Sequence, residues 1–447
     1  MTTDYLKDIS QHFVNYQQKL NNIECLKIVG LVNRAIGLII ESKGPAVPVG
    51  ELCYLENNRH KPETLLEVVG FNGSTVLSMP LGNMPNVRMG DRIVASGTMP
   101  EVGVGSELLG RVIDALGRPL DEAGEINVET YYPLHREPAN PLQREQITNP
   151  LSTGVRSIDG LLTIGTGQRV GIFGGSGVGK STLLGMMAKN TSADINVIAL
   201  IGERGREVKG FIEHELGQEG MARSVVVVST SDESALLRIR ASLVATAIAE
   251  YFKDCGANVL LIMDSVTRFA MAQREIGLAT GEPPSSRGYT PSVFALLPRL
   301  LERAGNFSNA GSITGFYTVL VDGDDMNDPI ADSVRSILDG HIVLSRNLAA
   351  RNHYPCIDIL HSASRLFSSV TSNEHRLAAS FLRELLATYA QAEDLIKIGA
   401  YQTGSNTKLD KAINYHDRII NYLCQKRDDS ISYDNSISQL IKLSTGG

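Results

Sequence analysis

The spacing of apolar residues changes three times along the chain. In "DYLKDISQHFVNYQQKLNNI" (residues 4–23) Leu6, Ile9, Phe13, Tyr16, Leu20 and Ile23 recur every three or four positions, which predicts an amphipathic helix. From Cys25 to Gly97 short β-rich runs alternate with glycines: "LKIVGLV", "AIGLIIES", "GELCYL", "LLEVVGF", "STVLSMP" and "DRIVASG". That rhythm predicts a small antiparallel barrel or sandwich. "GRVIDALGRPLDEAGE" (110–125) reads as a Gly-punctuated boundary and "YYPLHREPANPLQREQITNP" (131–150) as a Pro-rich connector. From residue 151 to about 370 strand-like and helix-like stretches alternate, and runs such as "VVVV" and "VLLIM" suit strands covered on both faces. The expected fold class is therefore α/β, with a parallel sheet between helices. From about residue 375, "EHRLAASFLRELLATYAQAEDLIKIGAY" and "LDKAINYHDRIINYLCQ" read as helical. The expected division is a helix over 1–24, a barrel over 25–97, an α/β core over 98–374 and a helical region over 375–447.

Composition narrows the classes. A chain of 447 residues is too long for one hydrophobic core. No stretch approaches the roughly 18 apolar residues of a membrane-spanning helix, and no signal sequence opens the chain. A cytoplasmic protein is expected. The net charge of -7 offers no basic footprint, so no nucleic-acid partner is expected. Five cysteines (Cys25, Cys53, Cys255, Cys356, Cys424) form no C-x-x-C pair, and their odd number suits a reducing compartment. They are expected to be buried small apolar residues. The nine histidines include no H-E-x-x-H, which disfavours a His-based zinc site.

The chemistry concentrates in "GIFGGSGVGKST" (171–182). Gly174, Gly175, Ser176, Gly177, Val178, Gly179, Lys180 and Ser181 complete the phosphate-loop pattern G-x-x-x-x-G-K-S between a predicted strand and a predicted helix, and Thr182 follows as a further nucleotide-binding candidate. Small residues let backbone N–H groups converge on phosphate oxygens at the helix N-terminus. Lys180 is expected to reach the β- and γ-phosphates of ATP, and the Ser181 hydroxyl to coordinate Mg²⁺. "VLLIMD" ends in Asp264, the position of a carboxylate that holds the Mg²⁺ shell. "INVIALIGERGREV" places Glu203 at a strand end, where it could activate water or be an ordinary solvated charge. Arg204 and Arg268 could support the phosphates or form surface ion pairs. Two polar loops remain: "GEPPSSRGYTPSVF" (281–294), stiffened by prolines between core elements, and "DGDDMNDP" (322–329), which reads as a solvated turn sooner than a second Mg²⁺ site.

"GIFGGSGVGKS", "GERGREV", "LIMDSVTRFA", "DGDDMNDPIADSVRSILDGHIVLSR" and "HYPCIDILHSASR" together resemble the superfamily of F-type, V-type and type III secretion ATPases, over roughly residues 25–445. The resemblance implies a β-barrel, a RecA-like core and a helical C-terminal domain assembled as a six-subunit ring. It implies Glu203 as the catalytic carboxylate, Tyr354 as the ring stacking on adenine, and Arg365 as an arginine finger serving a neighbouring subunit. A non-catalytic rotary subunit usually lacks the catalytic Glu, and a ring-shaped RNA translocase would bring aromatic and basic residues at its N-terminal region.

The segments "ATYAQAEDLIKIGAYQTGSNTKLDKAI" and "GEPPSSRGYTPSVFALLPRLLERAG" depart from rotary catalytic subunits and are similar to the type III secretion ATPases, most of all the flagellar protein-export group. Injectisome ATPases share most of these motifs and are the alternative. The resemblance further implies a homohexamer peripheral to the inner face of the cytoplasmic membrane. Its implied partners are a stator-like regulator on Leu6, Ile9 and Phe13, a coiled-coil stalk at loop 322–329, and an export gate with chaperones and export substrates.

Overall fold

The structure is a computed structural model that describes residues 27–56, 64–84, 86–308, 310–321, 323 and 325–446. The helix expected over 1–24 and Cys25 lie outside the described residues, as do Asp322 and Asp324.

In the N-terminal unit, residues up to Pro100, alternating apolar positions close a sheet on itself. Strands β1 (Val29–Ile36), β2 (Ile39–Lys43), β3 (Leu52–Glu56), β4 (Thr64–Asn72), β5 (Thr75–Pro80) and β6 (Arg92–Ala95) form a barrel in the cyclic order β1-β2-β5-β4-β3-β6. Val32, Ile40, Cys53, Leu55, Leu66 and Ile93 are buried in its core. Closure leaves no free sheet edge, which is how a small all-β unit avoids pairing with other chains.

The second unit, Glu101–Gly447, is built on a mixed sheet. Its strands are β7 (Val112–Asp114), β8 (Arg169–Gly174), β9 (Ile195–Glu203), β10 (Ser224–Thr230), β11 (Asn258–Asp264), β12 (Ser312–Leu320), β13 (Gly340–Leu344) and β14 (Ile357–Ser364). They lie in the order β14-β13-β8-β12-β11-β9-β10-β7. All neighbouring pairs are parallel except β13 with β14. The segment read from sequence as a boundary thus supplies a sheet strand, β7, because Val226 to Val228 of β10 extend the ladder to Val112, Ile113 and Asp114. Part of the expected connector is also ordered as a strand, since Thr130–Pro133 pairs with Glu101–Val104.

The longer helices of this unit are α1 (Lys180–Asn190), α2 (Ala235–Asp254), α3 (Val266–Ala279), α4 (Pro291–Leu301), α5 (Pro329–Ile337), α6 (Asn373–Lys397), α7 (Thr407–Leu423) and α8 (Tyr433–Thr445). Ser234, Ser265 and Ser372 each cap a helix by accepting a backbone N–H through the side chain, which accounts for where α2, α3 and α6 begin. Helices α6 to α8 pack against a short helix, Arg156–Leu161, that precedes the phosphate loop. The contact is tight at Gly160, where an added Cβ would overlap the buried Tyr422 hydroxyl. Gly160→Ala is expected to destabilise the protein by about 1–3 kcal/mol, read as a lower denaturation midpoint in urea.

The two polar loops meet. Between α3 and α4, Arg287 adopts a left-handed conformation with φ 48°. Its guanidinium reaches Asp325 at 2.7 Å and Asp328 at 3.4 Å. Asp328 also caps α5, accepting from the N–H groups of Ile330 and Ala331. The 281–290 segment is thus fastened to the loop after β12.

Of the cysteines expected to be buried, Cys53 and Cys356 are, whereas Cys424 is half-buried and Cys255 is exposed beyond the end of α2. Among the described residues no helix is long and apolar enough to cross a membrane.

Candidate nucleotide site

Strand β8 delivers its last residue, Gly174, beside Leu320 of β12, and the chain then turns through Gly175 to Gly179 into α1. Gly177 and Gly179 take φ of 80° and 77°, a region that strains any residue with a Cβ. Gly179 caps α1 with no side-chain acceptor, so the first-turn N–H groups remain available to an anion. Gly175 lies against the Arg346 guanidinium so closely that a Cβ would collide with it. The buried Val178 carbonyl accepts the Cys356 thiol hydrogen at 2.7 Å.

Lys180, the first residue of α1, places Nζ 2.5 Å from Oδ1 of Asp264 at the end of β11. Thr318 of β12 donates to the same carboxylate oxygen at 2.7 Å. The Asp264–Ser265 peptide is cis. Glu203 ends β9 after a register shift between Ile201 and Glu203, and its Oε1 lies 4.0 Å from Lys180 Nζ. Bulges of this kind re-aim side chains beside active sites. Burial, and then the neighbouring Asp264 carboxylate, push the Glu203 carboxyl above the usual range against the opposing pull of Lys180.

The other expected site residues fall in two groups. Tyr354 is 43% exposed and precedes a cis bond to Pro355, and its ring lies where it would be in van der Waals contact with a Cβ at Gly179. It lines a cavity of about 660 Å³ with Val178, Gly179, Thr182, Met186 and Gln425. Ser181 is exposed at the second position of α1, and Thr182 donates to Glu215 at 3.3 Å. Arg204 and Arg365 are not brought to Lys180. Arg204 is solvent-exposed and pairs with Glu207 at 3.5 Å, and Arg365 donates to the Arg335 carbonyl at 3.2 Å beyond the edge strand β14. Arg268 instead lies across Gly202, and its Nε is buried without a hydrogen-bond partner among the described residues.

Sequence reasoning missed Thr318, Arg346 and Gln425. Thr318 and Gln425 belong to no local motif and bear no charge, and Arg346 ends the quoted segment 322–346 without a role of its own having been read there.

The oxygen donors of Ser181 and Asp264 suit Mg²⁺, which prefers one or two protein ligands and phosphate oxygens to an all-protein cage. These oxygen donors leave most of the coordination to water and phosphate, which fits an ion that arrives with a nucleotide.

Phosphate loop, strand-end Asp264 and the carboxylate of Glu203 on one rim of a parallel sheet define a P-loop nucleotide site. The ATP synthase alpha/beta family matches the chain twice, as its nucleotide-binding domain over residues 154–364 and its beta-barrel domain over 32–97. The T3SS EscN ATPase C-terminal domain matches residues 371–442. A flagellum-specific ATP synthase of Bacillus subtilis is 53% identical over 94% of this chain and 98% of its own length. A type 3 secretion system ATPase of Xanthomonas euvesicatoria is 51% identical over 92% of this chain and 93% of its own. The structure of the assembled ATPase EscN with its central stalk EscO, from enteropathogenic E. coli, aligns with a TM-score of 0.86 at 47% identity, covering 93% of this chain and all of that one. The chain belongs to the ATP synthase alpha/beta family, in the group formed by the flagellum-specific ATP synthases and type 3 secretion system ATPases.

Proposed function

We propose that this chain is the ATPase of a flagellar protein-export apparatus, active as a homohexameric ring. The observation that supports it most is the convergence of Lys180, Asp264 and Glu203 beside the phosphate loop. In this reading the loop amides of Gly174 to Gly179 and the Lys180 ammonium bind the phosphates, and Ser181 and Asp264 hold Mg²⁺. When bound, Mg²⁺ neutralises charge on the phosphate oxygens. Glu203 orients water and accepts its proton as the new P–O bond forms and the bond to ADP breaks. Tyr354 stacks on the base, and Arg204, paired with Glu207 in solvent, has no role at the phosphates of its own chain. Arg365, exposed and bonded only to the Arg335 carbonyl among the described side-chain contacts, serves the site of the next subunit, so hydrolysis depends on assembly.

Residues 1–24, 25–97, 98–374 and 375–447 are taken as regulator-binding helix, barrel, ATPase core and helical domain. The regulator would be a stator-like protein docking on Leu6, Ile9 and Phe13. The ring would sit at the inner face of the cytoplasmic membrane, receive a coiled-coil stalk, and release export substrates from chaperones to the export gate; the complex of EscN with its central stalk EscO supports the stalk. An injectisome role is the second reading, favoured by the 51% identity to the Xanthomonas protein. Disrupting the gene separates them: loss of secreted hook and filament protein supports the first, and loss of needle-complex secretion alone supports the second.

Arg365→Ala is expected to remove at least about tenfold of the rate gained on assembly while ATP binding is retained. ATPase rate against protein concentration, with binding measured in parallel, checks it. Equal loss of rate and binding would argue against the finger role.

A further inference from the structure

We propose that Gln425 is a positioning residue for the base end of the nucleotide site, locking Tyr354 and the turn 425–429 into one wall of the cavity. The inference rests on the ATPase reading above. Gln425 follows α7 and is buried, at 5% exposure. Its backbone N–H donates to the Tyr354 carbonyl at 2.9 Å. Its side-chain Nε2 donates to the carbonyls of Gly154 at 2.8 Å and Asp429 at 3.0 Å, and Oε1 accepts from the Arg156 N–H at 2.9 Å. Both amide hydrogens are therefore used, and the side-chain bonds join the turn at Asp429 to the segment 154–156.

The Tyr354 ring is too exposed for packing alone to hold it, so its placement depends on its backbone. The turn beyond Gln425 closes on itself: Lys426 N–H donates to the Asp429 carboxylate at 3.1 Å, and Asp429 N–H donates to the Lys426 carbonyl at 3.1 Å. Lys426, Arg427 and Asp429 line the cavity beside Tyr354. Arg156 ties the same place from below by donating to the Cys424 carbonyl. None of Gln425's side-chain bonds reaches the phosphate loop. A change there should weaken recognition of the base and leave the triphosphate end intact.

Gln425→Glu tests this in the full-length protein, because it keeps length and the acceptor for Arg156 but sets an oxygen against two carbonyls. Gln425→Met, similar in length and without polar atoms, is the second variant. The measurements are kcat and KM for MgATP, the inhibition constant of inorganic tripolyphosphate, which has no base, and the thermal melt. KM for ATP should rise about fivefold or more, with kcat and tripolyphosphate inhibition held near wild type. An unmoved KM, or equal weakening of ATP and tripolyphosphate, overturns the proposal. Loss of a cooperative melt in both variants also overturns it, assigning Gln425 to the stability of the fold. Wild-type protein that hydrolyses no ATP would defeat the functional reading itself, whereas active wild type with unmoved variants defeats only the role of Gln425.

Discussion

Glu203→Gln is expected to lower kcat about 10²–10⁴-fold while leaving ATP affinity close to wild type. Gln keeps the shape and one acceptor, yet it cannot take a proton from the attacking water. The same change should leave the protein as stable as wild type or more so. Glu203 is held above the ordinary carboxylate range by burial and by Asp264, so its charged form is disfavoured in the fold and a neutral amide relieves that cost. Single-turnover hydrolysis and a thermal melt measured on one preparation check both halves. A variant that keeps more than half the wild-type rate would move the catalytic role away from Glu203, and one that melts well below wild type would show that the carboxylate stabilises the site.

Lys180→Ala should fail differently. Hydrolysis is expected to drop about 10²–10³-fold, as it does when a preorganised group facing developing charge is removed. Here stability should fall as well. Asp264 is nearly buried, and Lys180 neutralises it across 2.5 Å. Without the ammonium, the carboxylate keeps only the Thr318 hydroxyl among these two partners, at a cost of about 1–3 kcal/mol. Steady-state ATPase assays and denaturation midpoints check the pair of effects. Activity retained in Lys180→Ala would sink the enzymatic reading, because Lys180 is the phosphate-loop side chain that pairs with Asp264.

The contrast between these two variants follows from what sequence could and could not disclose. Phosphate loop and barrel were legible because their information is local: a fixed spacing of glycines before Lys-Ser, and apolar runs at strand rhythm between turns. Asp264 was legible because a buried run that stops at an acid has few other uses. Strand β7 was not, since Val112 to Asp114 are only three residues and gain strand structure by pairing with β10 across more than a hundred residues of chain. Arg204 shows the limit of adjacency. It follows Glu203 directly, but successive residues at a strand end point to opposite sides, and its guanidinium meets Glu207 in solvent. Thr318 and Gln425 were invisible for another reason: their roles lie in partners such as Asp264, Gly154 and Arg156 that are remote in sequence.

The clasp made by Arg287 has a mechanical meaning. Strand β12 holds Asp264 through Thr318, and three residues further on Val321 donates to the Gly174 carbonyl at 3.2 Å. Leu320 between them is pinned by the Thr267 hydroxyl at 2.8 Å. Thr318 and Val321 are about 10 Å apart along an extended chain. Whatever bears on the loop that begins just after Val321 therefore pushes on a short, braced rod whose other end meets the Asp264 carboxylate. Arg287 adds a second point of load, from the proline-stiffened segment, to that same rod.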